Sequence, residues 1–198
     1  GTWGTVAATQ ADYQDLSDMG LITGIHGDEV GWVWQTRALT LATYEGPPTV
    51  WRFDQFAHAG CVAPGSLAKW ADRIFWLAED GLYALVANQL VPIGIGRTNR
   101  TLLNDLNSSY YDRASGAIDP VGGRYFLAYP SNASAGNPDK LLIYDWRRDK
   151  FTHGDMNVEL LLTLIPQAGY TLDTLDQIST SLDALPYSLD SRQWIGSA

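Results

Sequence analysis

The sequence predicts an all-β protein, a partial β-propeller of roughly four blades with minor helix. Three observations carry that expectation. Aromatics make up 12% of the 198 residues, with eight Trp, ten Tyr and five Phe, and aromatic side chains favour strands. Asp outnumbers Glu by eighteen to four, and Lys is scarce at three against ten Arg, so turn formers stand where exposed helices would need Glu and Lys. Aromatic pairs recur from Trp32/Trp34 to Phe75/Trp76 to Tyr125/Phe126, at spacings of about 42 and 50 residues. Periods of about 40–50 with several short strands per unit are the mark of propeller blades. One four-stranded blade cannot bury both its faces, and stacking blades around an axis covers them and shields their edges. A plain antiparallel sandwich with coincidental spacing is the alternative.

The elements follow in chain order. The first unit runs through Glu29 to Trp34, Ala38 to Tyr44, a Gly46-Pro47-Pro48 turn and Val50-Trp51-Arg52-Phe53. The second runs through Arg73 to Leu77, the turn Glu79-Asp80-Gly81, Leu82 to Val86, a short turn at Ala87-Asn88-Gln89, and Leu90 to Ile93. Asp80-Gly81 between apolar strands is a strong hairpin signal, because Gly supplies the positive φ such a turn needs. The third runs through Gly123 to Tyr129, a polar loop from Ser131 to Asp139, Leu141 to Trp146 and a turn that leads to Phe151. Approximate blades are 22–56, 67–95, 114–153 and an incomplete 158–198. The expected structural core is Trp32, Trp34, Phe75, Trp76, Tyr83, Tyr125, Phe126, Tyr144 and Trp146.

Outside the strands, Arg97 to Leu106 can make two to three helical turns with Leu102, Leu103 and Leu106 on one face. Leu160 to Ile165 reads as a buried strand. From Gln167 onward, repeated Leu-Asp units suggest loops whose aspartates cap backbone N–H groups. Asp190 to Ile195 reads as a strand cut off as it starts. The chain opens at Gly1-Thr2-Trp3 without an initiator Met, and so reads as part of a longer polypeptide.

The net charge of −9 and the absence of a basic patch argue against a surface that grips nucleic acid. They leave open a surface that DNA slides past. A single cysteine, Cys61, closes no intrachain disulfide. No apolar run approaches the roughly 20 residues needed to span a bilayer, so no membrane insertion is expected.

The motifs of catalysis are missing. There is no G-x-S-x-G elbow. Cys61 follows His58 by three residues without a group to orient the imidazole, so a buried thiol beside a turn is the better reading. His26, His58 and His153 stand isolated, without metal-ligand spacing. Gly94-Ile95-Gly96 lacks the third glycine and the βαβ setting of a dinucleotide site. No catalytic, cofactor-binding or metal-ligating residue is expected, and no cofactor.

Several segments together resemble a family of tailed-bacteriophage virion structural proteins. These include Thr43 to Pro48, Gly60 to Ser66, Phe75 to Tyr83, Pro92-Ile93-Gly94, Ala117 to Pro120, Leu141 to Trp146 and Tyr170 to Asp173. They look like the propeller-bearing tail proteins of nozzle or hub type in short-tailed phages. The resemblance implies a non-enzymatic virion component, assembled in the bacterial cytoplasm, that prolongs the channel through which DNA leaves the capsid. Its partners would be other tail proteins and copies of itself in a symmetric ring, with DNA only as transient cargo. An acidic conduit fits physically, since each phosphate–cation contact adds friction. Alternatives are a host-receptor or glycan-binding propeller with exposed aromatic platforms, and a propeller hydrolase with an axial carboxylate or metal site.

Overall fold

The computed structural model describes residues 15–16, 18–27, 30–46, 50–163, 179, 181 and 184. Contacts divide the chain into two units, Gly1–Leu162 and Thr163–Ala198. In the second, the Ala184 N–H donates to the Ser181 carbonyl at 3.3 Å. The expected loops after Gln167, the strand at Asp190 and most of the range 158–198 lie outside the described residues.

Within the first unit the chain folds into three four-stranded antiparallel sheets, each a simple meander in sequence order. Sheet 1 holds β1 (Ile22–Gly27), β2 (Gly31–Gln35), β3 (Leu39–Gly46) and β4 (Val50–Ala57). Sheet 2 holds β5 (Ala68–Trp70), β6 (Arg73–Ala78), β7 (Gly81–Val86) and β8 (Gln89–Pro92). Sheet 3 holds β9 (Ser115–Asp119), β10 (Arg124–Tyr129), β11 (Lys140–Asp145) and β12 (Lys150–Asp155). None of the three closes on itself. A 3-10 turn at Pro64–Ser66 precedes β5, and helix α1 (Asn99–Asp105) with a 3-10 turn at Ser108–Arg113 leads into sheet 3.

Turn chemistry fixes the hairpins. β6 and β7 pair Ala78 with Gly81 around a Glu79-Asp80 loop. Gly81 takes φ +137, and a Cβ there would lie 1.9 Å from the Asn99 amide nitrogen. Asn99 uses that closeness. Its Oδ1 accepts from the Leu82 N–H at 3.2 Å and its Nδ2 donates to the Asp80 carbonyl at 3.0 Å, so the first residue of α1 staples the turn. The β7–β8 turn places Ala87 and Asn88 at φ +47 and +63, the two left-handed residues of a two-residue hairpin loop.

Sheet 2 is the middle layer, buried on both faces. Successive strand residues point to opposite faces, so Phe75 and Trp76 in β6 serve different cores. Trp76 meets Trp34 of sheet 1 edge to face at 5.5 Å and stacks on Tyr83 at 6.1 Å. Phe75 stacks on Tyr125 of sheet 3 at 5.1 Å and on Trp146 at 5.4 Å. One core, with Trp32, Trp34, Leu39, Trp76 and Leu85, lies between sheets 1 and 2. The other, with Phe75, Leu82, Tyr125, Leu127 and Tyr144, lies between sheets 2 and 3. A two-sheet sandwich would bury one face of each sheet and leave no such middle layer.

Between sheets 2 and 3 the backbones meet at the first strands. A Cβ on Gly65 would lie 2.4 Å from the Ala114 carbonyl oxygen, and one on Gly116 would lie 2.4 Å from the Ser66 oxygen. The Tyr125 hydroxyl donates to that same Ser66 carbonyl at 2.7 Å. The last strands, by contrast, are mostly exposed in β4, β8 and β12. Near β7 and β8 a groove of about 330 Å³ opens between Val86, Val91 and Ile93 on one side and Tyr144 and Trp146 on the other. The two sheets therefore approach closely at the Pro64–Ser66 turn, β5 and β9, and leave a groove beside β7, β8 and β11.

Three expectations need correction. Phe126 is half-buried and belongs to neither core, because alternation in β10 gives the inner face to Tyr125, Leu127 and Tyr129. Leu160 and Leu162 are 59% and 65% exposed and residues 160–163 form no strand, while Leu164 and Ile165 lie outside the described residues. The N–H of Leu161 goes to the Ser115 hydroxyl at 3.0 Å instead of to a ladder partner. The helix is shorter than Arg97 to Leu106, and Leu103 is only half-buried while Leu102 and Leu106 are buried.

Candidate assembly surface

Of the expected core, Trp32, Trp34, Phe75, Trp76, Tyr83, Tyr125 and Tyr144 are buried. Trp146 is half-buried, with the Arg73 guanidinium 6.0 Å above its ring. The turn residue Asp80 accepts the Tyr83 hydroxyl at 2.6 Å. Burial and then that carboxylate push the Tyr83 phenol up to about 12. Tyr144 is likewise pushed up to about 12, by burial and by its 2.9 Å bond to Asp149. Asp149 is held below the usual carboxylate range by its contacts with Arg97 and Tyr144.

The residues weighed for chemistry are kept apart. Cys61 is fully buried, with its sulfur 3.1 Å from the Ala63 carbonyl, and burial pushes its thiol up to about 11. His58 is exposed and contacts the Gln55 amide at 3.1 Å. His153 meets the Thr98 hydroxyl at 2.8 Å across the gap between β12 and α1. Among the described residues no group of three His, Cys, Asp or Glu side chains is placed to hold a metal ion. No described helix is long and apolar enough to cross a membrane.

The feature that the structure adds is the outward face of sheet 1. Registers and alternation give this face Ile25, Val33, Thr40, Ala42, Tyr44, Trp51, Phe53 and Gln55. Tyr44 and Trp51 are directly opposite each other and pack edge to face at 5.5 Å. Ile25, Tyr44 and Trp51 are 70%, 63% and 45% exposed, whereas Val33 and Ala42 at the centre are buried. None of these eight described residues is charged. Arg52 and its partners Glu45 and Asp54 sit beside it, with Arg52 and Asp54 pointing to the other side. The Thr40 hydroxyl lies buried beneath this face without a hydrogen-bond partner. A cross-strand aromatic pair adds about 0.2–1 kcal/mol to the hairpin. That contribution does not require two large rings to face solvent, and large exposed apolar patches on soluble proteins mark interaction sites.

A β-bulge sets the edge of this surface. Leu39 pairs with Ala57 and Thr40 with Gln55, leaving Phe56 as the extra residue. Phe56 turns inward and packs edge to face on Trp32 at 5.0 Å. Sequence reading places Tyr44 and Trp51 on strands without singling them out. Their strict alternation with Thr43 and Arg52 about a glycine-proline turn is the available signal. No protein-family model matches this chain, and no curated protein matches its sequence.

Proposed function

We propose that each four-stranded sheet is one blade of a β-propeller, and that the chain is a structural, non-enzymatic part of a phage tail. In this reading it is a segment of a nozzle- or hub-type protein in the virion, lining part of the path along which DNA is ejected. It would work beside other tail proteins and copies of itself in a symmetric ring. The observation that supports this best is the enclosure of sheet 2 on both faces, with sheets 2 and 3 converging at β5 and β9 through Gly65 and Gly116. Sheets that approach closely on one side and leave a groove on another suit an arrangement as spokes, the geometry of blades about an axis. The outward face of sheet 1, with its eight uncharged residues, is of the same kind as the faces that stack internally, and so suits a further blade or a neighbouring subunit. The net charge of −9 suits a wall that DNA passes without being held.

The test is location. Antibody raised against the chain should decorate the tails of virions made from the genome that encodes it, in immunogold electron microscopy. Virions that carry no label, intact or opened with detergent, would overturn the assignment.

A further inference from the structure

A second feature is independent of the stacked faces. An open cleft of about 970 Å³ lies where the Pro64–Ser66 turn, the start of β9, the 131–139 loop and residues 157–160 come together. Its size is at the upper end of the ~300–1,000 Å³ typical of ligand sites.

The cleft has a mixed lining. Its apolar members include Ala114, Pro138, Val158 and Leu160. Its polar members include Asp112, Arg113, Asn157 and Glu159, all exposed. Arg113 is held in place: its guanidinium lies 5.3 Å from the Tyr110 ring and donates to the Gly136 carbonyl at 3.3 Å and to the Asn137 side chain at 3.4 Å. Asp139 is committed, accepting from the Ser131 N–H and hydroxyl at 2.7 Å each. That pair fixes the loop and leaves Asp112, Asn157 and Glu159 to meet a ligand.

We infer that this cleft binds an uncharged oligosaccharide. A sugar ring has an apolar C–H face and a rim of hydroxyls, each both donor and acceptor. A lining that mixes apolar side chains with carboxylates, an amide and one fixed guanidinium offers contacts for both features. Among the described residues the lining carries three carboxylates against one guanidinium, which disfavours phosphorylated, sulfated or sialylated ligands and nucleic acid. The site lies within the 65–160 segment, apart from the aromatic face of sheet 1, and does not rest on the proposed role in a tail.

The experiment is a glycan microarray bearing neutral, sialylated and sulfated oligosaccharides, probed with the whole chain through a terminal tag. Binding to the best neutral glycan is then titrated by calorimetry. Neutral glycans should retain the chain and anionic ones should not. The variant with Asp112→Asn and Glu159→Gln together should bind about tenfold more weakly, as expected for losing charge-assisted hydrogen bonds. Asn157→Ala should weaken binding less, and Trp51→Ala should leave it unchanged. The cleft substitutions are at exposed positions, and an unaltered melting curve checks that the variants fold. Retention by no neutral glycan, preferential retention by anionic ones, or undiminished affinity in the cleft variants would each overturn the inference. Loss of binding in Trp51→Ala would do the same and would move the site to sheet 1.

Discussion

Replacing Trp76 with alanine tests the layered architecture at its most enclosed point. The indole is fully buried, meets Trp34 and Tyr83, and donates through Nε1 toward the carbonyls of Ala59 and Gly60 at 3.2 and 3.1 Å. A Trp side chain buries about 200 Å², which at about 25 cal/mol per Å² is about 5 kcal/mol of transfer free energy. Measured Phe/Trp→Ala changes in cores fall at about 3–5 kcal/mol. Two buried carbonyls would also lose their donor, so the upper end of that range applies, against a total stability of about 5–15 kcal/mol. With a urea m-value of about 2 kcal/mol/M, the midpoint should fall by about 2.5 M. Urea unfolding followed by fluorescence and far-UV circular dichroism reads this directly. Trp76→Phe keeps a smaller aromatic ring and removes the donor, and should lie between wild type and Trp76→Ala. Trp51→Ala, at a half-exposed ring, should cost under about 1 kcal/mol. A Trp76→Ala midpoint within about 0.5 M of wild type, or a larger effect at Trp51, would refute the assignment of Trp76 to a core between two sheets.

Three further outcomes follow from the same geometry. Gly116→Ala forces a Cβ against the Ser66 carbonyl and should destabilise by about 1–3 kcal/mol. Gly154→Ala, which meets nothing within 4 Å, should stay within about 0.5 kcal/mol in the same urea assay. Tyr83 and Tyr144, both pushed up to about 12, are neutral in the folded chain at pH values where an unfolded tyrosine, with a pKa of about 10, is ionised. Their contribution to stability is therefore full below about pH 10 and lost as pH rises toward 12. Burial raises Tyr125 and Tyr129 further still in the same direction. Ultraviolet titration should show a late group of tyrosines ionising together with loss of circular dichroism, and a single reversible step near pH 10 with the fold intact would count against this. The Cys61 thiol, pushed up to about 11 by burial, should resist thiol reagents at about pH 8 until urea unfolds the chain. Rapid labelling of the folded protein would show that the Cys61 site is open.

What could be read from the sequence was what local rules fix. The β6–β7 and β10–β11 hairpins stand out because alternating aromatics and turn residues are adjacent in the chain. β5 and β9 do not, since Ala68–Trp70 has three residues and Ser115–Asp119 carries no ring. These strands lie where sheets 2 and 3 converge. Small residues such as Gly116 are needed there for backbone approach, and that need arises only once residues some fifty positions apart, Ser66 and Gly116, are brought together. The cleft was invisible for the same reason, being assembled from four segments between Gly65 and Leu160.

The aromatic pairs show how position in the stack decides what one pattern means. Phe75/Trp76 and Tyr125/Phe126 are the same kind of dipeptide on the same kind of strand, and alternation sends one ring of each to either face. In sheet 2 both faces are covered, so both rings are core. In sheet 3 only Tyr125 points at sheet 2, and Phe126 remains half-buried. Sheet 1 repeats the logic in mirror image: Trp32 and Trp34 point at sheet 2 and are buried, while Tyr44 and Trp51 point away and are exposed. Periodicity alone assigns faces and not burial: Val33 and Ala42 share the face of Tyr44 and Trp51 and are buried, while the two rings are exposed. Adding a neighbour to sheet 1 would turn Tyr44 and Trp51 into the equivalents of Trp34 and Trp76. Protection of those two rings from solvent in an assembly is therefore the physical signature expected of a stacked blade or subunit.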